Sequence, residues 1–205
     1  MTEPLDRSLL AQLASVVREA TASFETYEYN RALEVTEVFF WKFCDDYLEL
    51  VKTRAYGTEE PSASARSTLA AALSTFQRLF APFLPFVTEE AWSWWQTGSV
   101  HRASWPAAQP WLDAAREGDP LILEVAAVAL SAVRKAKTAA NLSLRTEVAT
   151  VTVVDTEGRI QALRTAERDV REAGRIEELI LSAGEPAVSV QLQIDRAAGL
   201  GAPSI

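Results

Sequence analysis

The stretch that most limits what this chain can become is residues 39–52, FFWKFCDDYLELVK. Val35, Val38, Phe39, Phe43, Tyr47, Leu50 and Val51 recur at three- and four-residue steps, which is the spacing of one helical face. Phe40, Trp41, Cys44 and Leu48 lie off that face, so the apolar stripe is wider than a surface helix needs. A helix apolar nearly all round is a buried one. The stretch therefore predicts the central helix of a bundle, over about residues 30–55, with Gly57 and Pro61 ending it.

The neighbouring segments supply its partners. Residues 6–26 carry Leu9, Leu10, Leu13, Val16, Val17, Ala20 and Phe24 at helical spacing, with Asp6 as the expected N-cap. A third helix is expected from Ser62, with Leu69, Leu73, Phe76, Leu79 and Phe80 inward, ending near Pro82 and Pro85, because a proline ring removes a donor and clashes with the preceding turn. A short fourth helix over 86–97 would carry Trp92, Trp94 and Trp95. Residues 98–120 read as a structured connector rich in proline and tryptophan, and residues 120–140 return to helical spacing.

After Asn141 the period changes to two. Glu147–Val154 reads as a strand closed by a turn at Asp155–Gly158, residues 159–173 as a charged helix, Glu178–Leu181 as a weaker strand, and Ala187–Ile194 as a cleanly alternating one. The expected fold is mainly α: an antiparallel helical bundle over residues 1–118, then a helix and small α/β subdomain over 119–195, with 196–205 as a frayed tail.

Composition removes several function classes. With one cysteine, Cys44, and one histidine, His101, the chain can build neither an internal disulfide nor a zinc finger. Cys44 among bulky apolar neighbours reads as an inert core thiol in a protein of the cytoplasm. The acids Glu34, Glu37, Asp45, Asp46 and Glu49 lack the Glu-x-x-His pairs of a dimetal bundle and read as a solvated face. No glycine-rich phosphate loop occurs, and no apolar run is long enough to span a membrane.

Charge distribution says more than the net charge of −8. Residues 133–145, VRKAKTAANLSLR, hold Arg134, Lys135, Lys137 and Arg145 with no acid. Such a block is either a solvated helix end or a phosphate-binding patch. The six tryptophans divide similarly: Trp41 and Trp92 are assigned to the core, whereas Trp94, Trp95 and Trp105 suit either packing or base stacking.

Three stretches carry a family resemblance. FETYEYNRALEVTEVFFWKFCDDYLELVKTRAYG (24–57), LFAPFLPFVTEEAWSWW followed by GSVHRASWP (79–106), and AVRKAKTAANLSLR (132–145) resemble, in order and spacing, the anticodon-binding region of bacterial valyl-tRNA synthetases, which are class I aminoacyl-tRNA synthetases. The likeness covers about residues 5–195. Isoleucyl and leucyl enzymes share the bundle and the stretch around Pro85 to Trp92; the run Phe40 to Tyr47 looks valyl.

The resemblance implies recognition of the anticodon stem-loop of valine tRNA by a C-terminal piece of an ATP- and magnesium-dependent valine–tRNA ligase. The catalytic His-Ile-Gly-His and Lys-Met-Ser-Lys-Ser signatures of such ligases cannot be written with one histidine and with Met1 as the only methionine. No catalytic residue, metal site or cofactor is therefore expected in this chain, and its implied partners are tRNA and the ligase's own catalytic domain. The implied RNA-facing residues are Arg31, Lys42, Lys52, Arg54, His101, Arg102 and Trp105, with Arg134, Lys135, Lys137 and Arg145 on phosphates. The body is expected to be monomeric and unconnected with membranes. From the residues alone, a helical scaffold whose basic patch meets a protein partner stands as the alternative.

Overall fold

The computed structural model describes residues 1–193. Helix α1 (Pro4–Glu25) starts with proline at its first position, after an extended Glu3, and buries Leu5, Leu9, Leu10, Leu13, Val17 and Ala20 along one stripe. Asp6 does not cap it. It lies inside the first turn with its carboxylate buried, because it serves a partner in the interior rather than the helix end.

Helices α2 (Tyr29–Lys42) and α3 (Leu48–Ala55) form the central rod, joined by a π-helical turn at Phe43–Tyr47. The buried residues are Ala32, Thr36, Phe39, Phe43, Tyr47, Leu50, Val51 and Arg54. The π turn lies in the middle of that buried face and carries Phe43 and Tyr47. Only that one face is buried. Val38 is 67% exposed and Trp41 54% exposed, so the rod is not enclosed all round and both residues leave the expected core. At Gly57 a Cβ would come within 2.6 Å of Ser62 Oγ, which explains why the chain turns there on glycine.

Helix α4 (Glu60–Phe80) has Glu59 rather than Ser62 at its N-cap position, and buries Phe76 and Leu79 while Leu73 stays exposed. Helix α5 (Pro85–Ser93) ends four residues early against expectation; Trp92 is buried with Ala81 and Val100, and Trp94 is exposed. The connector contains a 3-10 turn at Val100–Arg102 and helix α6 (Gln109–Ala115), which lies against α1. Gly118 then passes so close to Arg7 that a Cβ would be 2.5 Å from the Arg7 carbonyl oxygen.

Helix α7 (Pro120–Ala139) is capped by the Asp119 side chain, which accepts from the Leu121 amide at 2.9 Å. It packs on α1 and on the α/β unit. That unit consists of β1 (Val148–Asp155), α8 (Glu157–Thr165), α9 (Glu167–Gly174), β2 (Ile176–Ala183) and β3 (Ala187–Leu192). The single helix expected over 159–173 is two, divided at Ala166, and the expected turn at Asp155–Gly158 is already the entry to α8. Sheet order is β2-β1-β3, with β1 parallel to β2 and antiparallel to β3. The helical crossover makes the parallel pairing feasible.

One apolar core runs from Leu5 on α1 through Phe76, Leu123 and Leu130 to Val151, Ile160, Val170 and Ile176. It crosses the sequence boundary at 118–119 without a break. Among the described residues no helix is long and apolar enough to cross a membrane. Ile194, the expected end of the last strand, and the expected frayed tail 196–205 lie outside the described residues.

Candidate nucleic-acid interface

The expected RNA-facing residues separate into two surface groups and an interior one. The first group gathers at the end of the bundle where α1 turns into α2. Phe24 is its hub, with its ring 5.5 Å from Tyr29, 5.7 Å from Phe83 and 5.0 Å from Trp105, the last edge-on. Trp105 Nε1 donates to Thr21 Oγ1 at 2.9 Å, Arg78 donates to the Ser104 carbonyl at 3.3 Å, and His101 Nε2 lies 3.1 Å from the Pro85 carbonyl oxygen. Glu89 accepts from the Ser99 hydroxyl and the Val100 amide, both at 2.9 Å. These bonds staple the connector to α1, α4 and α5, so His101, Arg102 and Trp105 sit on a supported surface.

Large rings face solvent at that hub and at the start of α5. Tyr27, 6.3 Å from Tyr29, is 78% exposed, Tyr29 and Trp105 are partly so, and Phe86 on α5 is 89% exposed. Arg102 is exposed and its side chain has no hydrogen-bond or ion partner among the described residues. Arg31 is less available: Glu19 and Glu34 grip it, and their hydrogen bonds, that of Glu19 first, raise its pKa above the ordinary value.

The second group forms a cleft of about 310 Å³ where α3, the end of α7, the loop before β1 and the end of α9 meet. Lys52, Arg134, Lys137, Arg145 and Arg175 line it, against two acids, Glu49 and Glu172. Glu49 is shared between Lys52 at 3.4 Å and Arg134 at 3.5 Å, while Arg134 also donates to the Asp45 carbonyl at 2.7 Å. Glu172 pairs with Arg168 at 2.9 Å. Arg175 donates to the Arg145 carbonyl at 2.8 Å, from a left-handed backbone at φ 54°.

Lys137 is a structural cation, against expectation. It is 1% exposed, and its ammonium donates to the carbonyls of Leu144 at 3.0 Å and Gly174 at 2.9 Å. Burial, and then the nearby Arg175, lower its pKa. Replacing Arg134, Lys135, Lys137 and Arg145 together by alanine would therefore strip the Leu144 and Gly174 carbonyls of their donor.

Arg54 is the second correction. It is 3% exposed, and all five of its N–H donors are taken: Asp6 accepts at 2.7 and 3.0 Å, Asp169 at 2.8 and 3.1 Å, and the Pro61 carbonyl at 3.0 Å. Asp6 also accepts from Tyr47 at 2.7 Å and Ser64 at 2.6 Å. Burial opposes the guanidinium charge, yet the bonds to Asp6 and Asp169 outweigh it and raise the pKa. Arg54 joins α1, α3 and α9 and has no donor left for a phosphate.

The remaining two belong to neither group. Lys42 donates to Gln12 Oε1 at 2.9 Å on the side of the rod, and Lys135 is exposed on α7 outside the cleft lining. Sequence reasoning missed Arg175, Phe86 and Tyr27. Phe86 after Pro85, at a helix start, was a usable signal; nothing local distinguishes Arg175 from the other arginines of α8 and α9. Among the described residues, no group of three or more His, Cys, Asp or Glu could hold a metal ion.

Comparison with known proteins bears on this surface. Residues 6–153 match the family described as the anticodon-binding domain of tRNA ligase. The chain is 53% identical over 196 residues, 95% of its length, to a valine–tRNA ligase of Thermobifida fusca (strain YX), and 50% identical over 87% of its length to one of Salinispora arenicola (strain CNS-205). A valine–tRNA ligase of Bifidobacterium longum subsp. infantis aligns with the whole chain at 42% identity. The chain spans only 22–24% of the length of these relatives. It belongs to the family of tRNA-ligase anticodon-binding domains.

Proposed function

We propose that this chain reads the anticodon stem-loop of valine tRNA, in the cytoplasm, as the anticodon-binding part of an enzyme that uses ATP and magnesium to attach valine to that tRNA. The observation that carries the reading is the set of exposed rings, Tyr27, Tyr29 and Trp105 around Phe24 and Phe86 at the start of α5, on elements that a stapled connector bearing exposed Arg102 joins. RNA is read chiefly at unstacked loop bases, by stacking on aromatic or guanidinium planes and by hydrogen bonds to base edges. Rings exposed on a rigid support suit that task, because little ordering entropy is lost when a base lands on them. The valine assignment follows the names of the relatives.

Chemistry is assigned to the ligase's catalytic domain. Here Phe86 and Tyr27 stack bases, Arg102 meets a base edge or phosphate, Arg31 adds charge held in place by Glu19 and Glu34, and His101 and Trp105 position the connector. The remaining solvent-facing cations, Lys42, Lys52, Arg134, Lys135 and Arg145, contribute to attraction of the RNA backbone, positioning it without specifying sequence. The protein acts as a monomer in this reading. A fluorescence-anisotropy titration of valine tRNA against a tRNA differing in its anticodon tests it. Tighter binding of valine tRNA is expected; equal or absent binding of both would favour a protein-binding scaffold instead.

A further inference from the structure

The cleft between α3, α7 and α9 holds five cations against two acids, in a chain whose net charge is −8. Both acids are already engaged, Glu49 by Lys52 and Arg134 and Glu172 by Arg168. Lys137, Arg145 and Arg175 have no carboxylate partner among the described residues. Three positive charges are thus concentrated around one cavity without a counter-charge. One of them, Lys137, is almost wholly buried and bound only to carbonyls. A buried charge is normally paired, and its isolation here leaves a seat for an anion.

The wider groove next to it is a useful contrast. It is lined by Arg164, Arg168, Arg171 and Arg175, but Glu147, Glu167, Glu172 and Glu177 face them in equal number, so it offers no net attraction. Arg175 lines both spaces.

We infer that the α3–α7–α9 cleft is a phosphodiester site, in which Arg145 and Arg175 grip the backbone of an RNA strand and Lys137 supplies fixed charge from below. Arg145 and Arg175 are exposed, and Arg175 donates through one guanidinium nitrogen to the Arg145 carbonyl, which holds the two together and leaves its other donors for a phosphate. Lys52 lies 21 residues along the rod from Arg31, so at about 1.5 Å per residue the cleft is roughly 30 Å from the aromatic end. That is close to one turn of a nucleic-acid duplex. One RNA would therefore be held at two places, by its bases at the end of the bundle and by its backbone at the seam with the α/β unit. The inference deepens the tRNA reading above and rests on it for the identity of the RNA.

The test uses the full chain, a single-stranded oligouridylate of about twelve nucleotides, and the pair of tRNAs already named. Oligouridylate is expected to shift the amide resonances of Leu144, Arg145, Gly174 and Arg175. The variant R145Q/R175Q, altered only at exposed side chains, should keep its melting temperature and lose those shifts. Its tRNA affinity should fall less steeply with salt. At about 0.7 per single-strand phosphate, the log–log slope flattens by roughly 1.4, an approximately sevenfold smaller loss between 50 and 200 mM. A variant with the same change in net charge outside the cleft, R18Q/R116Q, should leave both readouts alone. Absent shifts in the unaltered protein, or an unchanged slope in R145Q/R175Q, would overturn the site. Intact oligouridylate binding in the cleft with no preference for valine tRNA would overturn the anticodon reading and leave the phosphodiester site standing.

Discussion

Replacing Arg54 by methionine isolates the contribution of the buried triad. The methionine fills much of the volume but leaves Asp6 and Asp169 facing each other in the interior without a cation. Tyr47 and Ser64 still donate to Asp6, so that carboxylate keeps two of its four hydrogen bonds; Asp169 loses both donors provided by Arg54. Breaking a buried ion pair from one side costs about 3–5 kcal/mol. For a protein of this size that corresponds to a fall in melting temperature of roughly 6–20 °C. The pH dependence has a definite sign. Burial pushes the Asp169 carboxyl above its ordinary value, with Arg54 pulling the other way; removing Arg54 leaves the upward push alone. A carboxyl with a raised folded pKa takes up a proton on folding, so the deficit is full above that raised value and shrinks as pH falls through it towards about 4. Differential scanning calorimetry between pH 4.5 and 8 measures both effects. The triple variant D6N/R54M/D169N, which removes the charges together, should recover most of the loss. Melting of R54M within about 2 °C of the unaltered protein, or a deficit that grows on acidification, would refute the reasoning, since so small a shift corresponds to less than about 1 kcal/mol.

Other expectations follow from the same contacts. Lys137→Met should cost about 2 kcal/mol in urea unfolding, because the Leu144 and Gly174 carbonyls lose their donor. Tyr47→Phe removes a 2.7 Å bond to the buried Asp6 carboxylate and should cost about 1.5–3 kcal/mol by the same measurement. Val38→Gln should change stability by no more than about 0.5 kcal/mol, since the side chain is solvent-facing; a loss above 2 kcal/mol would mean that the rod is enclosed on that side as well. Phe86→Ala should leave melting unchanged and weaken valine-tRNA binding about 5- to 150-fold in anisotropy titrations, the worth of one stacked base.

Where local periodicity decides structure, the fold was legible. The leucine stripe of α1, the stop at Gly57, the proline break before α5 and the alternation of β3 each follow from residues within one or two turns of one another. The rod was misread at Val38 and Trp41 because hydrophobicity shows that a residue can be buried, not that a partner exists to bury it. The π turn at Phe43–Tyr47 further shifts the phase of the stripe, and no composition rule announces it.

The site residues failed in a different way. Arg54 and Lys137 look like any other cation in a helix, yet each occupies a position within an apolar stripe, after Leu50 and Val51 in one case and Val133 in the other. Asp6 likewise interrupts the leucines of α1. A charge on the inward face requires a partner from elsewhere in the chain, and those partners lie 48 and 115 residues from Arg54, beyond any local pattern. The cleft was half legible: Arg134 and Arg145 come from one basic run, but Arg175 arrives only through the return of α9 against α3 and α7.

The reach of the Arg54 contacts also sets an order of events during synthesis. Asp6, Tyr47 and Ser64 leave the ribosome close together with Arg54, but Asp169 follows 115 residues later. At 5–20 residues per second, that is a delay of about 6–23 s. Throughout it the guanidinium has one carboxylate and water, and the bundle can form without being sealed. Closure of α9 over α3 is therefore a late step of biogenesis, and the nascent chain passes through a stage in which a guanidinium destined for the interior is still wet.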